Sequence, residues 1–194
     1  MGGAQEPLIL ASTSPQRRAI LEQLRIPFEV VEPKYVEHDP PGLAPTELVQ
    51  VHAEGKARSA QRDVRLTLGV DTAVVLDGRV YGKPADRAGA ERMLRDLSGR
   101  THTVVSGLAL FGRDLELVRH EATDVAFRAV TTDALSTYLD SGEWEGRAGA
   151  YAIQGLGGRL VSRIDGDYLN VVGLPGALLV DLLERHAPLL LALR

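Results

Sequence analysis

The chain has 194 residues and no cysteine. Disulfides, thiolate metal sites and cysteine nucleophiles are therefore excluded, and the composition suits a reducing compartment. Aromatic residues are scarce, with Trp 1, Phe 3 and Tyr 5, so stacking platforms for single-stranded nucleic acid are poorly supplied. An excess of positive charge is also missing: 26 acidic against 22 basic side chains give a formal charge of −4. The footprint of a duplex-binding protein is absent, and no nucleic-acid polymer is expected as partner. No apolar run approaches the ~18–20 residues that span a bilayer, and Met1 to Pro7 lack the basic start and apolar core of a signal peptide. A cytoplasmic chain with no membrane partner is the expectation. Finally, no Gly-x-x-x-x-Gly-Lys-Ser/Thr loop occurs, and His38, His52, His102, His120 and His186 lack the spacing of a zinc site. These histidines read as surface residues or as satisfied core residues.

What is present begins with Leu8-Ile9-Leu10-Ala11, an apolar run broken by Ser12-Thr13-Ser14-Pro15-Gln16-Arg17-Arg18. This reads as a strand turning sharply into a helix, with Ser14 as N-cap and Pro15 at the first helical position. Hydroxyls, exposed N–H groups, a positive helix end and arginines gather there, a combination suited to phosphate. A common capped turn with a solvated arginine is the plainer alternative.

Length alone allows one domain with a sizeable core, spanning 1–194, with a disordered N-terminus over 1–6. A helix is predicted from Pro15 to Leu24 and a strand from Phe28 to Val31. A long loop rich in proline and charge follows over Glu32–Pro45, then a helix from Thr46 to Gln61 with a narrow, close-packed side. Leu66–Leu76 reads as a strand, Asp77-Gly78 as a hairpin turn, Arg79–Tyr81 as its partner and Asp86–Leu97 as a helix. Thr103–Phe111 and Leu115–Phe127 form a second, longer hairpin. Helices are expected at Thr132–Leu139 and Pro175–Arg185, a strand at Arg159–Ile164 and irregular structure over Gly142–Gly158. Hairpins mixed with helices imply an α/β fold on a mixed sheet.

Asp71 is the sharpest candidate, because a carboxylate inside Leu68-Gly69-Val70-Asp71-Thr72-Ala73-Val74 must be paired, protonated or metal-bound. A structural Asp at a bulge beside Gly69 is the alternative. Lys83, on the Gly82-Lys83-Pro84 turn of the paired strand, is either a phosphate ligand near Asp71 or a solvated lysine. The run from Arg147 to Gly158 combines a cation, the amide of Gln154 and backbone that a ligand can approach closely. A connecting loop is its plainer reading. Trp144 and Tyr151 could stack on a base or simply anchor packing.

In order along the chain, Ala11-Ser12-Thr13-Ser14-Pro15 with Arg17, Val36-Glu37, Glu54-Gly55-Lys56-Ala57, Val70-Asp71-Thr72-Ala73-Val74 and Gly82-Lys83-Pro84 resemble the Maf family of nucleoside triphosphate pyrophosphatases. So do Leu97-Ser98-Gly99-Arg100-Thr101-His102, Ala148-Gly149-Ala150-Tyr151 with Gln154, and Asn170-Val171-Val172-Gly173-Leu174-Pro175. The resemblance implies an inosine triphosphate pyrophosphatase-like fold, with a long mixed β-sheet, flanking helices and two lobes around a cleft. It further implies hydrolysis of a nucleoside triphosphate to the monophosphate and pyrophosphate with Mg²⁺ or Mn²⁺, clearing surplus or modified nucleotides. Asp71 would be the general base, Glu37 and Asp71 would hold the metal, and Ser14, Arg17, Lys56, Lys83 and Arg147 would hold phosphates. Arg147 stands where the family typically has Lys, which keeps the charge and changes the geometry of the grip.

Base choice maps to Gln16, Thr72 and Gln154. Members preferring dTTP and UTP carry Arg, Thr and Gln at these positions, whereas members acting on 7-methylguanosine triphosphate carry Trp at the first. Thr72 and Gln154 resemble the dTTP/UTP group and Gln16 fits neither. The resemblance leaves a homodimer open, and it also admits a non-catalytic nucleotide-binding regulator of cell division.

Overall fold

The computed structural model describes residues 6–62 and 65–192. Strands are β1 (Leu8–Leu10), β2 (Phe28–Val30), β3 (Thr67–Leu76), β4 (Arg79–Tyr81), β5 (Thr101–Gly112), β6 (Leu115–Phe127) and β7 (Val161–Asp165). Helices are α1 (Pro15–Gln23), α2 (Pro45–Ala60), α3 (Arg87–Leu97), α4 (Thr132–Asp140), α5 (Tyr168–Val172) and α6 (Gly176–His186). The strands form one seven-stranded sheet in the order β2-β1-β3-β5-β6-β7, with β4 added to β3. β1 runs parallel to β2 and β3, while β3–β4 and β6–β7 are antiparallel. The mixed α/β fold expected from the sequence is thus present. Among the described residues no helix is long and apolar enough to cross a membrane.

Two compact units can be distinguished, one made of Met1–Asp71, Ser106–Glu121 and Gly173–Arg194, the other of Thr72–Val105 and Ala122–Val172. In the first, β1 is buried at every position, as a short apolar strand flanked by parallel neighbours should be. Ile20 and Leu21 of α1 and Leu179 and Leu183 of α6 are buried as well. Each such side chain contributes roughly 1.5–3 kcal/mol on removal from water.

The small side chains of α2 have a specific purpose. Ala53 and Ala57 form a buried cluster with Ala109 and Phe111, and the backbone of α2 approaches the strands where these carry glycine. A Cβ on Gly69 would lie 2.1 Å from the Ala53 carbonyl oxygen, and one on Gly107 2.1 Å from that of Val49. Helix and sheet therefore touch backbone to backbone, which fixes the height of Lys56 on α2 over β3. In the second unit Val74, Leu94, Leu97, Val104, Val125 and Leu139 are among the core.

Several boundaries differ from expectation. β5 begins at Thr101, two residues early, because the Arg100 carbonyl already accepts from the Phe127 N–H. β7 begins at Val161, since Leu156–Leu160 is a short 3₁₀ turn, and Ala148–Ala150 is another. Helix α5 lay in a segment given no element from sequence. The expected disordered N-terminus lies outside the described residues over 1–5; Glu6 is described and approaches Arg65 at 3.7 Å.

Candidate active site

The turn between β1 and α1 is built as its residue types dictate. Ser14 caps α1, accepting from the Arg17 N–H at 3.5 Å, and Pro15 opens the helix. Ser12 supports it from behind, its hydroxyl accepting from the Ser14 N–H at 3.2 Å and from an Arg17 terminal nitrogen at 3.1 Å. Arg17 Nε donates to the Gly173 carbonyl at 2.9 Å. The guanidinium is thus fixed on two sides and is no solvated first-turn arginine. Burial pushes its pKa down, opposed by the negative charges of Asp71 and Glu37. Gln16 accepts from the Ser14 hydroxyl at 3.2 Å.

Asp71 and Glu37 meet on one cation. Lys56 Nζ stands 2.6 Å from Asp71 Oδ1 and 2.6 Å from Glu37 Oε1. The side chains of Lys56 and Asp71 are 12% and 17% exposed, against 53% for Glu37. The Asp71 carboxylate, costly on a buried strand, is accordingly paired. Ser12, Ser14, Arg17, Glu37, Lys56 and Asp71 all belong to the first unit.

Glu37 comes from the long loop between β2 and α2, which the structure pins to α2. The Tyr35 hydroxyl lies 3.1 Å from His52 Nδ1, and His52 Nε2 lies 3.0 Å from Asp39 Oδ1. A carboxylate only accepts, so Nε2 carries the hydrogen and Nδ1 accepts from Tyr35. The Tyr35 ring covers Gly55, where a Cβ would lie 2.2 Å from its Cε2. Burial, followed by the charges of Glu37, Asp71 and Asp39, pushes the Tyr35 hydroxyl pKa up and keeps it a donor. None of Tyr35, Asp39 and His52 was singled out from sequence as functional. The available signal is the alternation Tyr35-x-Glu37-x-Asp39, which sends three side chains to one side, facing His52 and Lys56 at i, i+4 on α2.

The second unit holds the remaining candidates. Lys83 is exposed on the turn after β4, and Thr72 follows Asp71 along β3. The Gly82 carbonyl accepts from the Gly149 N–H at 3.2 Å, which ties the Lys83 turn to the Arg147 loop. Gly149 has φ 66, and a Cβ there would lie 2.8 Å from a Val74 methyl, so glycine is required on both counts. Arg147 Nε is buried and has no hydrogen-bond partner among the described residues. Gln154 is exposed. Tyr138 accepts from the Ala152 N–H at 3.1 Å, and the Tyr151 hydroxyl lies 2.9 Å from His102 Nε2. Tyr151 and Trp144 therefore act as anchors, the indole N–H donating to the Leu139 carbonyl at 2.9 Å. Asn170 is buried and donates to the Val104 carbonyl and to Thr123.

Chemically, two carboxylates converging on one point form a hard oxygen pair. Among the described residues no group of three or more His, Cys, Asp or Glu side chains could hold a metal. The pair fits Mg²⁺ or Mn²⁺ only where substrate oxygens and water complete the shell, the usual arrangement for a phosphate-bound dication.

A family profile described as "Maf-like protein" matches residues 7–186. A dTTP/UTP pyrophosphatase from Symbiobacterium thermophilum is 49% identical over 172 residues, covering 88% of this chain and 89% of the relative. One from Gloeobacter violaceus is 48% identical over 178 residues, covering 91% and 94%. Another, from Pelotomaculum thermopropionicum, is 43% identical over 182 residues, covering 92% and 95%. The chain belongs to the Maf-like protein family.

Proposed function

We propose that this chain is a nucleoside triphosphate pyrophosphatase that hydrolyses dTTP and UTP to the monophosphate and pyrophosphate, with Mg²⁺ or Mn²⁺. The observation that carries this reading is the convergence of Asp71 and Glu37 on one cationic point, 2.6 Å each from Lys56 Nζ. The names of the relatives support the substrate class, as do Thr72 and Gln154.

In the proposed reaction a water oxygen bonds to the α-phosphorus while the bond to the bridging oxygen of the β-phosphate breaks, and pyrophosphate leaves. Asp71 takes the proton of the attacking water and orients its lone pair in line with the leaving group. Glu37 and Asp71 would hold the metal, which would supply charge neutralisation to the phosphate oxygens. Ser14 and the N–H groups at the start of α1 receive phosphate, as helix N-termini do. Arg17, held rigid by Ser12 and Gly173, presents its guanidinium charge without a reorganisation cost. Lys56, Lys83 and Arg147 supply further cations, and Arg147 Nε, without a partner among the described residues, has a donor to spare. Gln16, Thr72 and Gln154 choose the base.

The test is pyrophosphate release by the purified chain on a panel of ordinary, methylated and deaminated triphosphates, with each metal and with chelator. Release fastest from dTTP and UTP, abolished by chelator, is expected. Nucleotide binding without turnover across the whole panel would establish the non-catalytic regulator instead.

A further inference from the structure

We propose that His52 is a positioning residue: by gripping the loop on both sides of Glu37, through Tyr35 and Asp39, it sets the affinity of the site for its divalent cation. The inference rests on the metal-binding reading of Glu37 given above. Glu37 needs such help. It is half exposed and sits on a segment, 31–44, that has no helix or strand and includes Pro33, Pro40 and Pro41. A carboxylate so placed would have to lose backbone and rotamer freedom each time it bound a cation.

The structure removes that cost in advance. His52 is 3% exposed, and both ring nitrogens are used, Nδ1 on Tyr35 and Nε2 on Asp39. These partners stand two residues before and two after Glu37, so the histidine fixes the loop symmetrically about it. His52 and Lys56 lie one helical turn apart, which places the grip beside the point where Glu37 meets Lys56 and Asp71. The Tyr35 ring over Gly55 adds a packing anchor. Glycine inside a helix is less stable than alanine, and here it makes room for that ring. Outer groups that orient a metal ligand typically change metal affinity by about 10- to 100-fold.

A purely structural staple would raise stability without touching metal binding, so the two roles separate by experiment. Mn²⁺ binding to the full chain is followed by the resonance of free Mn²⁺, in the presence of a dTTP analogue with a non-hydrolysable α,β bridge. Metal-dependent turnover of dTTP is measured alongside. Asp39→Ala, at an exposed side chain, and Tyr35→Phe, which keeps the ring over Gly55, are expected to fold as the wild type does. Each should weaken Mn²⁺ binding about tenfold and leave kcat at saturating Mn²⁺ within about twofold. Asp39→Asn keeps an oxygen to accept from Nε2–H and should bind Mn²⁺ as the wild type does. An Asn variant as weak as the Ala variant would make the effect one of charge and overturn the grip.

A double-mutant cycle completes the test. With Glu37→Gln already in place, Asp39→Ala should add no further loss, whereas additive losses would overturn the proposal. Wild-type Mn²⁺ affinity in Asp39→Ala, with a large loss in Glu37→Gln, overturns the grip alone. Unchanged affinity in Glu37→Gln overturns the metal role of Glu37 and the grip with it.

Discussion

Lys56 Nζ and Asp71 Oδ1 stand 2.6 Å apart between α2 and β3, with the same ammonium 2.6 Å from Glu37. Removing that ammonium leaves the mostly buried Asp71 carboxylate unpaired beside the half-exposed carboxylate of Glu37. Lys56→Met, which keeps the apolar stem, is predicted to cost about 1–3 kcal/mol in urea unfolding. Added Mn²⁺ should restore part of this loss, because a dication can take the vacated position. A variant as stable as the wild type in metal-free buffer would mean that the pairing carries no net energy.

The height of Lys56 over β3 depends on glycine at two strand positions. Gly69→Ala and Gly107→Ala each place a Cβ 2.1 Å from a carbonyl oxygen of α2, so the helix must rise. Overpacking of this kind typically costs about 1–3 kcal/mol. Both substitutions should also lengthen the Lys56–Asp71 pair and lower kcat/KM, since small misplacements are expensive in catalysis. Normal turnover together with lowered stability would show that the pair tolerates displacement.

His102 gives the fold a defined acid sensitivity. It is 1% exposed, its Nδ1 has no partner among the described residues, and burial lowers its pKa to about 4 despite the nearby Asp124. The unfolded chain, with histidine near 6.5, therefore binds the proton more strongly than the folded one. The contribution of neutral His102 is fully present above about 6.5 and is lost as pH falls toward about 4. Between pH 7 and pH 5 the wild type should lose about 2 kcal/mol relative to His102→Gln, a variant that can still bond Tyr151. Parallel pH profiles of urea midpoints would show that His102 is not the group responsible.

Gln16 sits at the first turn of α1, accepting from the Ser14 hydroxyl. Gln16→Arg breaks that bond and introduces the residue that the family resemblance associates with a preference for dTTP and UTP. The ratio of kcat/KM for dTTP and UTP over the other triphosphates should rise by about tenfold, the effect of one added charge-assisted hydrogen bond. An unchanged ratio would remove this position from base choice.

The parts legible in the sequence are those governed by local chemistry. Ser14-Pro15 announces α1, Asp77-Gly78 with both residues at positive φ announces the β3–β4 hairpin, and alternation or apolar runs place the long strands. Asp71 stood out because an ionisable group in an apolar strand needs a reason. Illegible were features that depend on partners distant along the chain. That Arg17 would be locked by Gly173, or Tyr151 by His102, follows from contacts across 156 and 49 positions. Helix α5 has five residues, too few for helical periodicity to be read. The roles of Tyr35, Asp39 and His52 emerge only when a loop of period two is laid on a helix of period 3.6.

The most direct test of the central claim is the pair of measurements, kcat and nucleotide Kd, on Asp71→Asn. The amide keeps the size of the side chain and an oxygen for Lys56, but it cannot take a proton from water. With saturating Mg²⁺ or Mn²⁺, pyrophosphate release from dTTP should fall by about 10²–10⁴-fold, the usual contribution of a general base, while Kd for the non-hydrolysable analogue stays within about threefold. Release at the wild-type rate would contradict the assignment of Asp71 as the base.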